Sequence, residues 1–128
     1  MGLPIAVPLT SHLNKPLIVV RKRPYGFEDE IVLDQSTGYS SGALYVNDVH
    51  PGERIVIYDD MLSTGGTLRP LVTALREAGV IVVGAMPLAG KGDAAERLSE
   101  ELDLQIRTIV RLDVDEKGVV AASKGNHL

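Results

Sequence analysis

The stretch RIVIYDDMLSTGGTLRPLVTAL, Arg54 to Leu75, decides how the rest of the chain is read. It predicts a buried strand over Ile55 to Tyr58, closed by two acids, Asp59 and Asp60, then a loop of hydroxyls and glycines, then a helix. In the loop Ser63, Thr64, Gly65, Gly66 and Thr67, two glycines lift the Cβ restriction, so backbone N–H groups can turn toward one point and an anion can approach closely. Leu68, Leu71, Val72 and Leu75 then recur at helical spacing, and Gly79 is placed to stop the helix. Pro70 lacks an N–H and fits only a first turn, so the helix begins no earlier than about Gly66, and the loop opens onto a helix N-terminus. Asp59 and Asp60 repel phosphate but suit vicinal hydroxyls and Mg²⁺. A phosphate beside a diol describes ribose 5-phosphate. No G-x-x-x-x-G-K-[ST] run occurs, and no G-x-G-x-x-G follows a strand.

Composition narrows the class. A chain of 128 residues with 45% hydrophobic residues is long enough for one core, and a single domain over 1–128 is expected. The net charge of −4, without a long lysine or arginine run, argues against nucleic acid as the main partner. With no cysteine there is neither a disulfide nor a thiolate ligand or nucleophile. His12, His50 and His127 are scattered without ligand spacing. No apolar run reaches membrane-spanning length and no basic leader precedes one, so a cytoplasmic protein is expected.

Outside the central stretch, Met1 to Asn14 is apolar and only weakly helical in pattern, given Pro4 and Pro8. Leu17 to Arg21 (LIVVR) reads as a strand of a parallel sheet buried on both faces. Arg21, Lys22 and Arg23 follow where such a strand meets its ligand-binding loop, and pyrophosphate suits them. Two strand-like pieces, Ile31 to Leu33 and Ala43 to Val46, lie among Pro24, Gly26, Gly38, Ser40, Ser41 and Gly42, which predicts a flap or hairpin. Asp48 to Glu53 is a turn, and Val80 to Met86 another buried strand whose exit loop AGKGD carries Lys91. Asp93 with Glu96 has the spacing of a capping box for a short helix to about Leu102. Gln105 to Val114 reads as a last strand, and the polar tail from Asp115 as loose.

YDDMLSTGGTL resembles the phosphoribosyl pyrophosphate (PRPP) motif of type I phosphoribosyltransferases. VVRKRPYG and TGYSSGALYVNDVHPGERIVIYDDMLSTGGTL extend the likeness to the archaeal purine enzymes related to hypoxanthine and adenine phosphoribosyltransferases. The resemblance implies an α/β fold, an open parallel sheet flanked by helices, with a flexible β-flap that closes over the reacting centre. Family members carry some tens of residues ahead of MGLPIA, so the fold is expected to lack its first strand and the hood over the base. It further implies purine salvage: pyrophosphate is displaced from PRPP by a purine base, giving a nucleoside monophosphate. In that scheme Asp59 and Asp60 grip the ribose hydroxyls directly or through Mg²⁺, and Ser63, Thr64, Gly65, Gly66 and Thr67 hold the 5′-phosphate. Arg21 and Lys22 neutralise pyrophosphate, and Lys91 is a weaker candidate for the base. Many 6-oxopurine enzymes carry an aspartate where this chain has Ser63, and adenine-type enzymes a small residue, so adenine and hypoxanthine or guanine all stay open. A homodimer is implied as well. The alternative is a non-catalytic PRPP or nucleotide sensor of the same fold.

Overall fold

A computed structural model describes residues 2–36 and 41–126. The elements run α1 (Leu3–Leu13), β1 (Ile31–Ser36), β2 (Ser41–Val46), β3 (Arg54–Ile57), β4 (Met61–Leu62), α2 (Leu68–Glu77), β5 (Ile81–Ala85), β6 (Ala89–Lys91), α3 (Ala94–Leu102), β7 (Val110–Val114) and β8 (Val120–Lys124).

The centre is a parallel ladder with a break in it. β3 pairs with β5, β4 with β6, and β6 with β7, all parallel, while a single bridge joins Ala85 to Ile106. Between β3 and β4 the stretch stays in register through Leu88 N–H donating to Asp59 O (2.9 Å) and Ala89 N–H to Asp60 O (3.0 Å). The two acids thus interrupt the strand without leaving the sheet.

β8 closes the outer edge antiparallel to β7. This corrects the expectation of a loose tail from Asp115. The Asp115 carboxylate accepts from Lys117 and Val119 N–H at 2.9 and 2.8 Å, and Gly118 takes φ +78°, so a tight turn sends the chain back along β7.

The expected flap is an antiparallel hairpin, β1 with β2, in register from Ile31 opposite Val46 to Ser36 opposite Ser41. Gly38 and Ser40, in its connection, lie outside the described residues. The segment before it departs from expectation. Leu17 to Arg21 is not a strand of the parallel sheet: its ladder contact is an antiparallel bridge, Arg21 and Tyr45 exchanging N–H···O bonds of 3.0 and 2.8 Å. β-branched residues favour extended backbone, but a strand needs a partner along its length, and here Ile18 and Val20 pack against the core without a ladder.

α2 divides its apolar face between two clusters. Leu68 and Val72 join Leu62, Ala94, Leu98 and Ile106 under α3, while Leu71 and Leu75 join Leu33, Leu44, Val46 and Val80 under the hairpin. As expected, Gly79 ends the helix: at φ +77° its N–H donates to Arg76 O (3.0 Å), and Val80 N–H to Leu75 O (2.9 Å). That pair of bonds is the Schellman arrangement, and Val80 packs in the same cluster as Leu75.

β3 and β5, expected as buried strands, are covered on one face only. Side chains alternate, and α2 covers one face only, with Ile55 and Val82 turned toward it. The other face leaves Val56 52%, Ile81 52% and Val83 41% exposed. α1 does form, with Pro4 in its first turn and Pro8 inside, and Leu3, Val7 and Leu13 are exposed.

Candidate functional site

The strand-to-helix stretch folds as its sequence requires. β3 delivers Asp59 and Asp60, β4 carries the chain two residues further, and Ser63 to Thr67 form the loop before α2. Asp60 N–H donates to Asp59 Oδ1 at 2.9 Å, fixing that carboxylate against the backbone. Burial pushes the Asp59 carboxyl above its ordinary range, while the bond from Asp60 N–H works against that rise. A carboxylate kept half-buried next to a second acid suits a polyol or a cation.

In the loop, Gly65 takes φ +81°, and a Cβ there would stand 2.7 Å from Leu98 Cδ2 and 2.9 Å from Arg69 Nη1. Two demands meet at this position, a left-handed backbone and contact with α3. Gly66 N–H donates to Thr64 Oγ1 (3.4 Å), a local turn of the loop upon itself. α2 starts at Leu68 with Thr67 as its N-cap and no side-chain cap bond, and Pro70 stands in its first turn, as expected.

Lys91 is the last residue of β6 rather than part of an exit loop. Leu62 pairs with Gly90, so Lys91 emerges one residue beyond that pair, on the sheet edge where Ser63 leaves β4, and is exposed. Asp93 is the N-cap of α3, but no side-chain cap bond forms, which corrects the capping-box reading.

Arg21 is turned to the hairpin side. Its guanidinium carbon lies 3.3 Å from the ring centroid of Tyr25, which in turn meets Phe27 edge-on at 5.9 Å. Glu30 accepts Tyr25 N–H and Asn47 Nδ2–H, both at 3.0 Å, and these bonds, that from Tyr25 first, hold its carboxyl below the ordinary range. Lys22 and Arg23 are exposed beside it.

Sequence reasoning missed the underside of the loop. Arg69, on α2, donates to both carboxylate oxygens of Glu101 on α3 and to the carbonyl of Thr64. Arg97 places Nη2 3.5 Å from the carbonyl of Ser63. The only sequence signal was the opposite charge of the two helices, which becomes a pairing once they are known to be neighbours.

The chain belongs to the phosphoribosyl transferase domain family, which matches residues 1–124. It is 44% identical to the hypoxanthine/guanine phosphoribosyltransferase of Ferroglobus placidus over 93% of its length, and 49% identical to that of Methanosarcina mazei over the same share. It spans 63% and 62% of those two relatives. Among solved structures it resembles the adenine phosphoribosyltransferase of Thermoanaerobacter pseudethanolicus, with TM-score 0.73 at 24% identity over 86% of this chain and 64% of that one. The adenine phosphoribosyltransferase of Trypanosoma brucei in complex with AMP, pyrophosphate and ribose-5-phosphate matches with TM-score 0.71 at 17% identity, covering 91% of this chain and 55% of that one. These likenesses carry the fold, an α/β type I phosphoribosyltransferase fold of parallel and mixed sheets with flanking helices.

Proposed function

We propose that the chain, read as one domain, works in purine salvage as a purine phosphoribosyltransferase. The observation that carries this reading is the unbroken run from Asp59 and Asp60 through Ser63–Thr67 to the N-terminus of α2, with Gly65 seated on Leu98. In the reaction the bond from C1′ of PRPP to the pyrophosphate oxygen breaks, a bond from C1′ to a ring nitrogen of the purine forms, and the base gives up its proton. Such a transfer, through an oxocarbenium-like transition state, calls for placement and charge more than for covalent catalysis.

Ser63, Thr64, Gly65, Gly66 and Thr67 would hold the 5′-phosphate, while Asp59 and Asp60 would accept from the 2′- and 3′-hydroxyls. Two adjacent carboxylates fit Mg²⁺, which commonly takes one or two protein carboxylates and completes its shell from water and phosphates. Bound there, Mg²⁺ supplies positive charge against the departing pyrophosphate. Lys22 is exposed and suited to the same task; Arg21 joins it by leaving the ring of Tyr25. Lys91, on the shared sheet edge, is the base-side candidate.

The names of the relatives favour hypoxanthine or guanine over adenine, and transfer over a sensor role. A homodimer in the cytoplasm completes the reading; no helix among the described residues is long and apolar enough to cross a membrane. The test is turnover with PRPP and Mg²⁺ against hypoxanthine, guanine and adenine in parallel. Nucleotide from hypoxanthine or guanine is the expected result. PRPP binding without turnover of any base would favour the sensor, and no binding would overturn both.

A further inference from the structure

We infer that Arg69 is a positioning residue for the phosphate loop, setting the direction of its N–H groups from beneath; this rests on the reading of Ser63–Thr67 as the phosphate site. Arg69 is the second residue of α2, and its guanidinium joins three parts of the molecule: its own helix, Glu101 near the end of α3, and the carbonyl of Thr64 in mid-loop. Arg97, also from α3, approaches the preceding carbonyl, that of Ser63, at 3.5 Å. Within a trans peptide plane the C=O and the next N–H point in opposite directions. With the carbonyls of Ser63 and Thr64 drawn toward the arginines, the N–H groups of Thr64 and Gly65 are aimed at the opposite side, where an anion would sit.

The geometry requires arginine. Its planar fork meets both oxygens of Glu101 while a further N–H reaches Thr64, whereas lysine offers a point charge without that fork. The ion pair is solvent-facing, with side-chain exposures of 36% for Arg69 and 41% for Glu101, so it adds little to overall stability. Gly65 fits the same design, since the space a Cβ would occupy there is taken by Leu98 and by Arg69 itself.

Calorimetry with ribose 5-phosphate and amide hydrogen exchange of the unliganded protein, on wild type, Arg69→Ala, Arg69→Lys and Glu101→Gln, test this. Arg69→Ala should weaken ribose 5-phosphate binding by about tenfold with the global fold intact, and Arg69→Lys should not restore it. Glu101→Gln, which leaves the Arg69 bond to Thr64 in place, should fall between wild type and Arg69→Ala. The Thr64 and Gly65 amides should exchange faster in Arg69→Ala than in wild type. In steady-state turnover the same variant should raise KM for PRPP and leave KM for the base unmoved. Unchanged loop exchange and unchanged ribose 5-phosphate affinity in Arg69→Ala overturn the inference alone. A wild-type protein that binds no ribose 5-phosphate overturns the site reading on which it rests.

Discussion

Gly65 of the loop lies directly on Leu98 of α3, close enough that a Cβ would stand 2.7 Å from Leu98 Cδ2. Leu98 is fully buried, so it has no room to retreat. Gly65→Val should therefore fail by pressure from below, as well as by forcing a β-branched residue to positive φ. The expected cost is about 1–3 kcal/mol from overpacking, with a comparable amount from backbone strain. Urea unfolding measures it, and a Gly65→Val variant as stable as wild type would contradict the packing seen here.

Asp60→Asn keeps the shape of the side chain and removes its charge. If Asp60 holds hydroxyls and Mg²⁺, the variant should still fold cooperatively yet lose turnover by about a hundredfold, the scale on which removal of one preorganised electrostatic contact is felt. Paired melting curves and turnover rates decide it, and full activity in a folded Asp60→Asn protein would remove the residue from the site.

Glu30 provides the pH dependence. Its folded-state pKa lies below the ordinary 4.5 because the carboxylate accepts from Tyr25 N–H and Asn47 Nδ2. A depressed carboxyl contributes stability that is fully present above 4.5 and is lost as pH falls through the folded-state value. Glu30→Gln should thus be less stable than wild type at pH 7, and the gap should narrow as the solution is acidified below 4.5. Urea midpoints at a series of pH values show it; a gap that widens on acidification has the wrong sign.

The uncovered sheet face leads to the fourth expectation. Val56, Ile81 and Val83 lie exposed on neighbouring parallel strands, and α1 adds Leu3, Val7 and Leu13. Apolar surface of this kind seeks cover. The 128-residue chain should self-associate, most simply as a two-fold dimer. Light scattering at micromolar concentration checks this, and a monodisperse monomer would refute it.

What could be read without coordinates was what is local in sequence. The acids, the loop, the start of α2 near Pro70 and its stop at Gly79 follow one another within a single stretch, so local chemistry fixes them. The hairpin strands and the extent of α3 were legible for the same reason. Leu17 to Arg21 misled because β-branched residues specify extension but not a partner. The β7–β8 hairpin was hidden because β8 is a short run of mostly small residues, Val120–Lys124, whose alanines do not favour a strand and which becomes one only by pairing along β7. The contact of Arg69 with Glu101 spans 32 positions and exists only because α2 and α3 pack together.

Because α2 lends Leu68 and Val72 to one cluster and Leu71 and Leu75 to the other, melting either half would strip the helix of its packing on that side. Heat should therefore meet one cooperative transition rather than two. A ligand seated at the N-terminal end of that helix would raise the melting point of the distant β1–β2 hairpin along with its own surroundings, since whatever binds only the folded state stabilises everything that must unfold with it.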